Sequence, residues 1–201
     1  MPILMLVAAG LIAAPQSDAG LRQTVLNNYP VKAIREAKSG AVRMQVWIDP
    51  AGKVYRCEVV QLVGDEVFRT NACKPFAGQV VQHAVALDGS ASYGMIAPFM
   101  RYVTRGRMER EVRALPDPAD ITLDRTGAAA AAHDFKIVVQ VEGDGRVSHC
   151  EGLEDAPVGF VERACARATE STQPIGTDEA GTPVRYVSEL LVRVDAQPST
   201  S

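Results

Sequence analysis

Hydrophobic and polar positions alternate in two segments of the chain, residues 41–49 and residues 137–141. A period of two is typical of a strand that buries one of its faces. A glycine-containing turn follows each segment, at residues 50–52 and at residues 143–145. These turns predict β-hairpins, because glycine tolerates the positive φ that a tight turn needs.

A helix is predicted after each hairpin. Apolar residues recur four positions apart in residues 65–76, and again in residues 159–168. Such a stripe allows a helix to lie on a sheet. Pro75 predicts an early bend or end of the first helix. A final apolar strand is predicted at residues 95–103 and at residues 189–194.

The two segments also align with each other without a gap. In IDPAGKVYRCEVV and VEGDGRVSHCEGL, Gly52 falls on Gly145 and Cys57 falls on Cys150. A pair of copies indicates a duplicated domain. We therefore predict an α+β fold of two tandem copies, each a small antiparallel sheet with one packed helix. The predicted parts are a signal peptide or short anchor (1–19), a first domain (20–104), a linker (105–129), a second domain (130–195) and a tail (196–201).

The cysteines fall as one pair in each copy, Cys57 with Cys73 and Cys150 with Cys165. In an exported chain an even count at repeated spacing indicates disulfides, and the duplication favours bridges within each copy. Zinc is the alternative, since His149 lies beside Cys150, but no cysteine has another at the short spacing of zinc motifs. We predict two disulfides, no metal and no other cofactor.

The amino terminus predicts export. Its apolar run ends before Pro15, and a helix of that length is about 21 Å long, too short for a bilayer core of about 30 Å. Ser17 and Ala19 are small residues placed before a cut at Gly20, as in a secretory signal. No Lys or Arg precedes the run, so an uncleaved anchor is the alternative. The predicted location is the periplasm.

Charge and chemistry exclude other classes of function. The formal net charge of −3 argues against a broad nucleic-acid surface, which needs clustered Lys and Arg. The neighbours His133-Asp134 and His149-Cys150 suggest catalysis, but adjacent residues of a strand point to opposite faces. We predict a protein that is not an enzyme and has neither a nucleic-acid partner nor a small-molecule substrate.

Several of these residues together resemble a known family. Tyr29-Pro30, Gly40, the alternating strand and the turn DPAGKV are similar to the carboxy-terminal domain of the TonB family of periplasmic energy transducers. The resemblance covers about residues 29 to 103. The second copy lacks the Tyr-Pro pair, but its residues 181–184 resemble the G-x-P-V stretch of the family.

The resemblance implies how the protein binds. In the family the last strand is an open sheet edge, to which a partner peptide, such as a segment of a TonB-dependent receptor, adds as an extra strand. It implies an envelope protein or peptide as partner. The implied contact residues are Tyr29, Pro30, Glu189, Leu190, Leu191, Val192, Arg193 and Val194. Two alternatives are that the edges of the copies pair with each other, and that the protein is a structural or stress-related envelope protein without a role in energy transduction.

Overall fold

The structure is a computed structural model that describes residues 11–16, 28–106, 108–124, 134–153 and 156–195. The strands are β1 (Gly40–Ile48), β2 (Val54–Val63), β3 (Ala84–Val85), β4 (Ala91–Ile96), β5 (Phe99–Tyr102), β6 (Ile121–Asp124), β7 (Phe135–Val141), β8 (Val147–Gly152) and β9 (Tyr186–Asp195). The helices are α1 (Val31–Arg35), α2 (Glu66–Ala72), α3 (Glu109–Ala114) and α4 (Val158–Glu170), with a 3-10 turn (Lys74–Phe76) after α2. Among the described helices, none combines the length and the apolar character needed to cross a bilayer.

The strands form one continuous sheet with the order β2-β1-β4-β9-β7-β8. The β1–β2 hairpin lies at one end and the β7–β8 hairpin at the other. At the centre β4 and β9 run parallel, with Gly94 opposite Val187. The expected mixture of α-helices and antiparallel hairpins is confirmed, and the two halves, residues 28–106 and 134–195, share a single sheet as in the alternative of paired edges.

The strand predicted at residues 95–103 is divided in two. β4 pairs with the end of β1 and β5 pairs with its beginning, and Ala97 and Pro98 lie between them. Proline has no amide to donate to a neighbouring strand, so regular pairing stops there. The carbonyl of Pro98 still accepts from the amide of Met44 at 3.1 Å, which keeps the kinked segment against β1.

One face of the first half is covered by α2. Phe68 and Ala72 of this helix are fully buried against the alternate residues of β1, which are Val42, Met44, Val46 and Ile48. Asp65 caps the helix by accepting from the amide of Val67 at 2.9 Å. The helix ends at Ala72 and Pro75 lies in the 3-10 turn, so the predicted early end is confirmed.

The second half is covered by α4 on the opposite face of the sheet. Phe160, Ala164 and Ala168 pack with alternate residues of β7, which are Phe135, Ile137, Val139 and Val141. Trp47 belongs to this second core, although its neighbours in β1 face α2. Because successive residues of a strand point to opposite faces, α2 and α4 must lie on different sides of the sheet.

The segment predicted as a linker is part of the fold. Within residues 105–129, β6 runs parallel to the end of β9. Ile121 and Leu123 of this strand are buried in the core of the second half. The prediction that residues 105–129 only link two domains is therefore wrong for β6. The alanine run at residues 128–132 lies outside the described residues.

Trp47 connects the two halves most directly. Its side chain is 1% exposed, and its ring lies edge-on to that of Tyr186, with the centroids 5.0 Å apart. The guanidinium of Arg56 lies 4.5 Å from the centroid of the indole ring.

We expect Trp47→Ala to lower the free energy of unfolding by about 3 to 5 kcal/mol, since it removes a large buried side chain shared by both halves. Urea unfolding followed by circular dichroism measures this change. The control is Ile34→Ala, at a residue 53% exposed in α1, which we expect to change stability by no more than about 1 kcal/mol. A similar loss in both variants would contradict this account of the interface.

Candidate functional site

Both predicted disulfides are present. Cys57 is bonded to Cys73, and Cys150 is bonded to Cys165, with a Cα–Cα distance of 5.6 Å in each pair. In each half the bridge joins an outermost strand, β2 or β8, to a helix or its carboxyl end. The bridges thus fix α2 and α4 on the two strands that border the sheet.

The prediction of an open edge at residues 189–194 is wrong. β9 pairs with β7 on one side, and with β4 and then β6 on the other. Between β4 and β6, Asp120 completes the pairing: its amide donates to Leu191 O and its carboxylate accepts from Leu191 N, both at 2.8 Å. A role of residues 189–194 in partner binding stays a prediction, but it cannot depend on strand addition there.

Tyr29 and Pro30 pack against the core of the first half. The ring of Tyr29 meets those of Tyr102 and Phe68 edge-on, at 5.3 and 6.1 Å between centroids, and its hydroxyl donates to Lys38 O at 2.8 Å. Burial raises the pKa of Tyr29 above its usual value and that of Tyr102 to about 12. Pro30 is buried before α1. These contacts give Tyr29 and Pro30 a structural role. That the two residues also contact a partner stays a prediction.

A groove of about 480 Å³ opens where β4 and β5 bend away from β9. The kink at Ala97 and Pro98 forms one wall, and β9 with Asp120 forms the other. Charged side chains in the groove are paired: Arg43 with Asp120, and Lys136 with Glu189 at 2.6 Å. The groove therefore offers a mixed polar and apolar surface without an obvious anion site.

Residues 11–16 border this groove and pack against the second half. Ala13 and Val85 of β3 exchange backbone hydrogen bonds of 3.0 and 2.8 Å. Ile12 and Ala14 are 4% and 6% exposed, in a cluster with the buried Ala84, Val138 and Val187. These residues belong to the predicted signal segment, whose other positions, like the predicted cut at Gly20, lie outside the described residues. Cleavage there stays a prediction.

Among the described residues, the outer edge of β2 is the longest sheet edge that has no neighbouring strand. The loop after α2 meets it only at its beginning, where Lys53 forms an isolated bridge with Val80. Further along, Val59 O accepts from the guanidinium of Arg69 at 3.0 Å. Val60 has no partner in β1, because the pairing register shifts there, and it is 48% exposed.

The apolar surface beneath residues 11–16 was not predicted from the sequence. A signal was present in β7, where Ile137, Val138 and Val139 are consecutive apolar residues that the structure buries completely. The aligned position to Val138 in β1 is Gln45, which is only half-buried. Apolar residues on both faces of β7 indicate that its second face also needs a cover.

Residues 26–92 match the family model described as Gram-negative bacterial TonB protein C-terminal. The TonB resemblance is therefore confirmed for this segment. It contains α1, α2, β1, β2 and β3, together with the first residues of β4. Neither the curated proteins nor the solved structures include a match to this chain.

The histidines do not form a metal site with the described residues, which contain no group of three or more ligand side chains. His149 Nε2 lies 3.5 Å from a carboxylate oxygen of Glu151 in β8. Cys150 between them is bonded to Cys165 and has no free thiol. His133 lies outside the described residues.

We expect the bridge of the TonB-like segment to stabilise the fold by closing a loop in the unfolded chain. Replacing Cys57 and Cys73 together by Ala should lower the free energy of unfolding by about 3 kcal/mol, and the same change at Cys150 and Cys165 should have a similar effect. Urea unfolding measures both variants. Non-reducing peptide mapping of wild type is the control, and bridges between the two halves, or four free thiols, would contradict the assignment.

Proposed function

We propose that the protein is a periplasmic protein-binding module with two TonB C-terminal-like units, which binds an extended segment of an envelope protein by strand addition. The match of residues 26–92 to the TonB C-terminal family carries the proposal. A segment of a TonB-dependent receptor is the kind of partner that the family suggests. In this proposal the protein acts through contacts and catalyses no reaction.

Three features support a second, divergent unit in residues 134–195. Each half has a hairpin, a following helix and a strand that returns to the first strand of the hairpin. Each half also has one disulfide, which joins aligned positions of the hairpin, Cys57 and Cys150, to the helix that follows or to its end. Read from its two ends towards the centre, the sheet has the same order of elements: the second hairpin strand, the first hairpin strand and the returning strand.

The two disulfides also support the proposed location. Such bonds persist in oxidising compartments, of which the bacterial periplasm is one. The apolar amino-terminal run, which is followed by small residues, is also consistent with a signal for export to the periplasm.

The outer edge of β2 is the surface to which we assign strand addition. It belongs to the segment that matches the family, and its residues from Tyr55 onwards offer backbone groups without a strand partner among the described residues. An added strand would gain affinity from these groups and selectivity from alternate side chains. The register shift at Val60 and the bond from Arg69 to Val59 limit unwanted pairing, as in other exposed edges.

Strand addition can be tested by replacing Val59, whose backbone groups point away from β1: its partner Met44 donates to Pro98 O instead, and Val59 O accepts from Arg69. A proline at this position therefore removes no bond between β1 and β2. In cells, a photo-reactive residue at the exposed Gln61 should crosslink to the bound envelope protein. Val59→Pro should reduce the crosslink about tenfold by removing an outward-facing amide donor, while Val59→Thr keeps the amide and the branched shape and should retain it. Arg69→Ala should increase it, because the carbonyl of Val59 becomes free.

Circular dichroism must show that each variant is folded, and a photo-reactive residue at Arg167, exposed on α4, serves as the control position. Equal crosslinking of Val59→Pro and Val59→Thr would exclude strand addition at β2. A folded wild-type protein that gives no crosslink at Gln61 would favour the structural envelope protein instead.

A further inference from the structure

The surface beneath residues 11–16 has the properties of a peptide-binding groove. Its floor is formed by Val138 and Val187, both fully buried, and its wall is the free side of β3. Ile12, Ala14 and Pro15 of the covering segment are buried. The segment therefore covers this apolar surface with the alternate side chains of Ile12 and Ala14, as an added strand does.

The covering segment is held by its main chain. Beside the pair of bonds between Ala13 and Val85, Gln16 O accepts from the amide of Gln82 at 3.3 Å, and the amide of Ile12 donates to a carboxylate oxygen of Glu151 at 3.0 Å. These contacts require none of the segment's side chains. Another polypeptide of suitable shape could make the same bonds.

Gly94 shapes the groove for a proline. A Cβ at this position would lie 2.1 Å from Cγ of Pro15 and 3.0 Å from Cβ of Ala84. The backbone of Gly94 does not have the positive φ that would itself require glycine. Its lack of a side chain is therefore explained by the room it gives to Pro15.

We propose that residues 11–16 occupy, within their own chain, a binding groove for an extended apolar segment of another polypeptide. Removal of the leader at the predicted cut before Gly20 opens the groove; this step rests on the export that forms part of the proposed function. The contacts define the ligand: an aliphatic residue at the position of Ile12, a small residue at that of Ala14 and a proline at that of Pro15.

The groove at the sheet centre extends this site. Pro15 and Gln16 line its near end, and the paired Lys136 and Glu189 lie further along. Residues that follow the proline of a ligand therefore enter a more polar channel. This division predicts a segment that is apolar before its proline and polar after it, as the sequence after Pro15 is.

The experiment starts from the folded full chain, with the recognition sequence of a site-specific protease inserted between Ser17 and Asp18. The probe is a fluorescent peptide with the sequence of residues 8–17. We expect the peptide to bind the cut protein and not the uncut protein, as measured by fluorescence anisotropy. If the cut segment stays bound through gel filtration, this retention supports the proposal, and the peptide should then displace it.

Variants of the peptide and of the protein test the contacts between residues 11–16 and the groove. Peptides with Ile12→Asp or Ala13→Pro should bind the cut protein at least about tenfold more weakly than the unchanged peptide. Ile12→Asp would bury a charge, and Ala13→Pro would lose the amide that donates to Val85 O. Gly94→Ala should weaken binding of the unchanged peptide to a similar extent. Gly159→Ala is the matched control, since a Cβ at Gly159 meets no atom within 4 Å.

The proposal is overturned if the cut segment is released and the peptide does not bind, although the fluorescence of Trp47 and the circular dichroism are unchanged. Equal binding to cut and uncut protein would also overturn it. Val59→Pro should not alter peptide binding, and Gly94→Ala should not alter the crosslink at Gln61. Failure at the groove is thus distinguished from failure of strand addition at β2.

Discussion

The parallel pairing of β4 with β9 is the contact on which the arrangement of the whole molecule depends. It joins two antiparallel hairpin units into one sheet and places Met95 beside Ser188. Because the joined strands run in the same direction, one unit is turned over relative to the other, and α2 and α4 lie on opposite faces. The same contact covers one edge of each unit, β4 in the first and β9 in the second, which removes two sites for unwanted pairing.

This arrangement leaves each half with one face that its own helix does not cover. In the first half, Trp47 lies on that face, where the loop before β9 covers it: Tyr55 donates to Thr177 O at 2.7 Å, and Gly176 lies against the indole. In the second half, Val138 and Val187 lie on the corresponding face, and β3 with residues 11–16 covers them. One cover is the loop before β9, whereas the other includes residues 11–16, which belong to the predicted signal peptide or anchor.

The features that the sequence predicted are local. Hairpins, helix stripes and the two cysteine pairs depend on spacings within short segments, and the repeat made the within-copy bridges the simplest choice. The pairing of β4 with β9 joins residues that are far apart in the chain, so the hydrophobic pattern within each segment does not indicate it. The edge at residues 189–194 was inferred from a domain that stands alone, so a second unit beside it changed the outcome. β6 was missed because Pro116 and Pro118 precede it and its run of four residues is short.

The two proposed binding surfaces are protected in different ways, and the difference follows from their chemistry. β2 is open in the folded protein, so its exposed positions include Glu58 and Gln61, and a register shift interrupts its pairing. An open edge with an apolar face would aggregate. The groove beneath residues 11–16 is apolar at Val138 and Val187, and this is compatible with a stable protein only while something covers it. In the proposed mechanism, loss of the covering segment exposes this apolar surface, and an apolar segment of the partner covers it again.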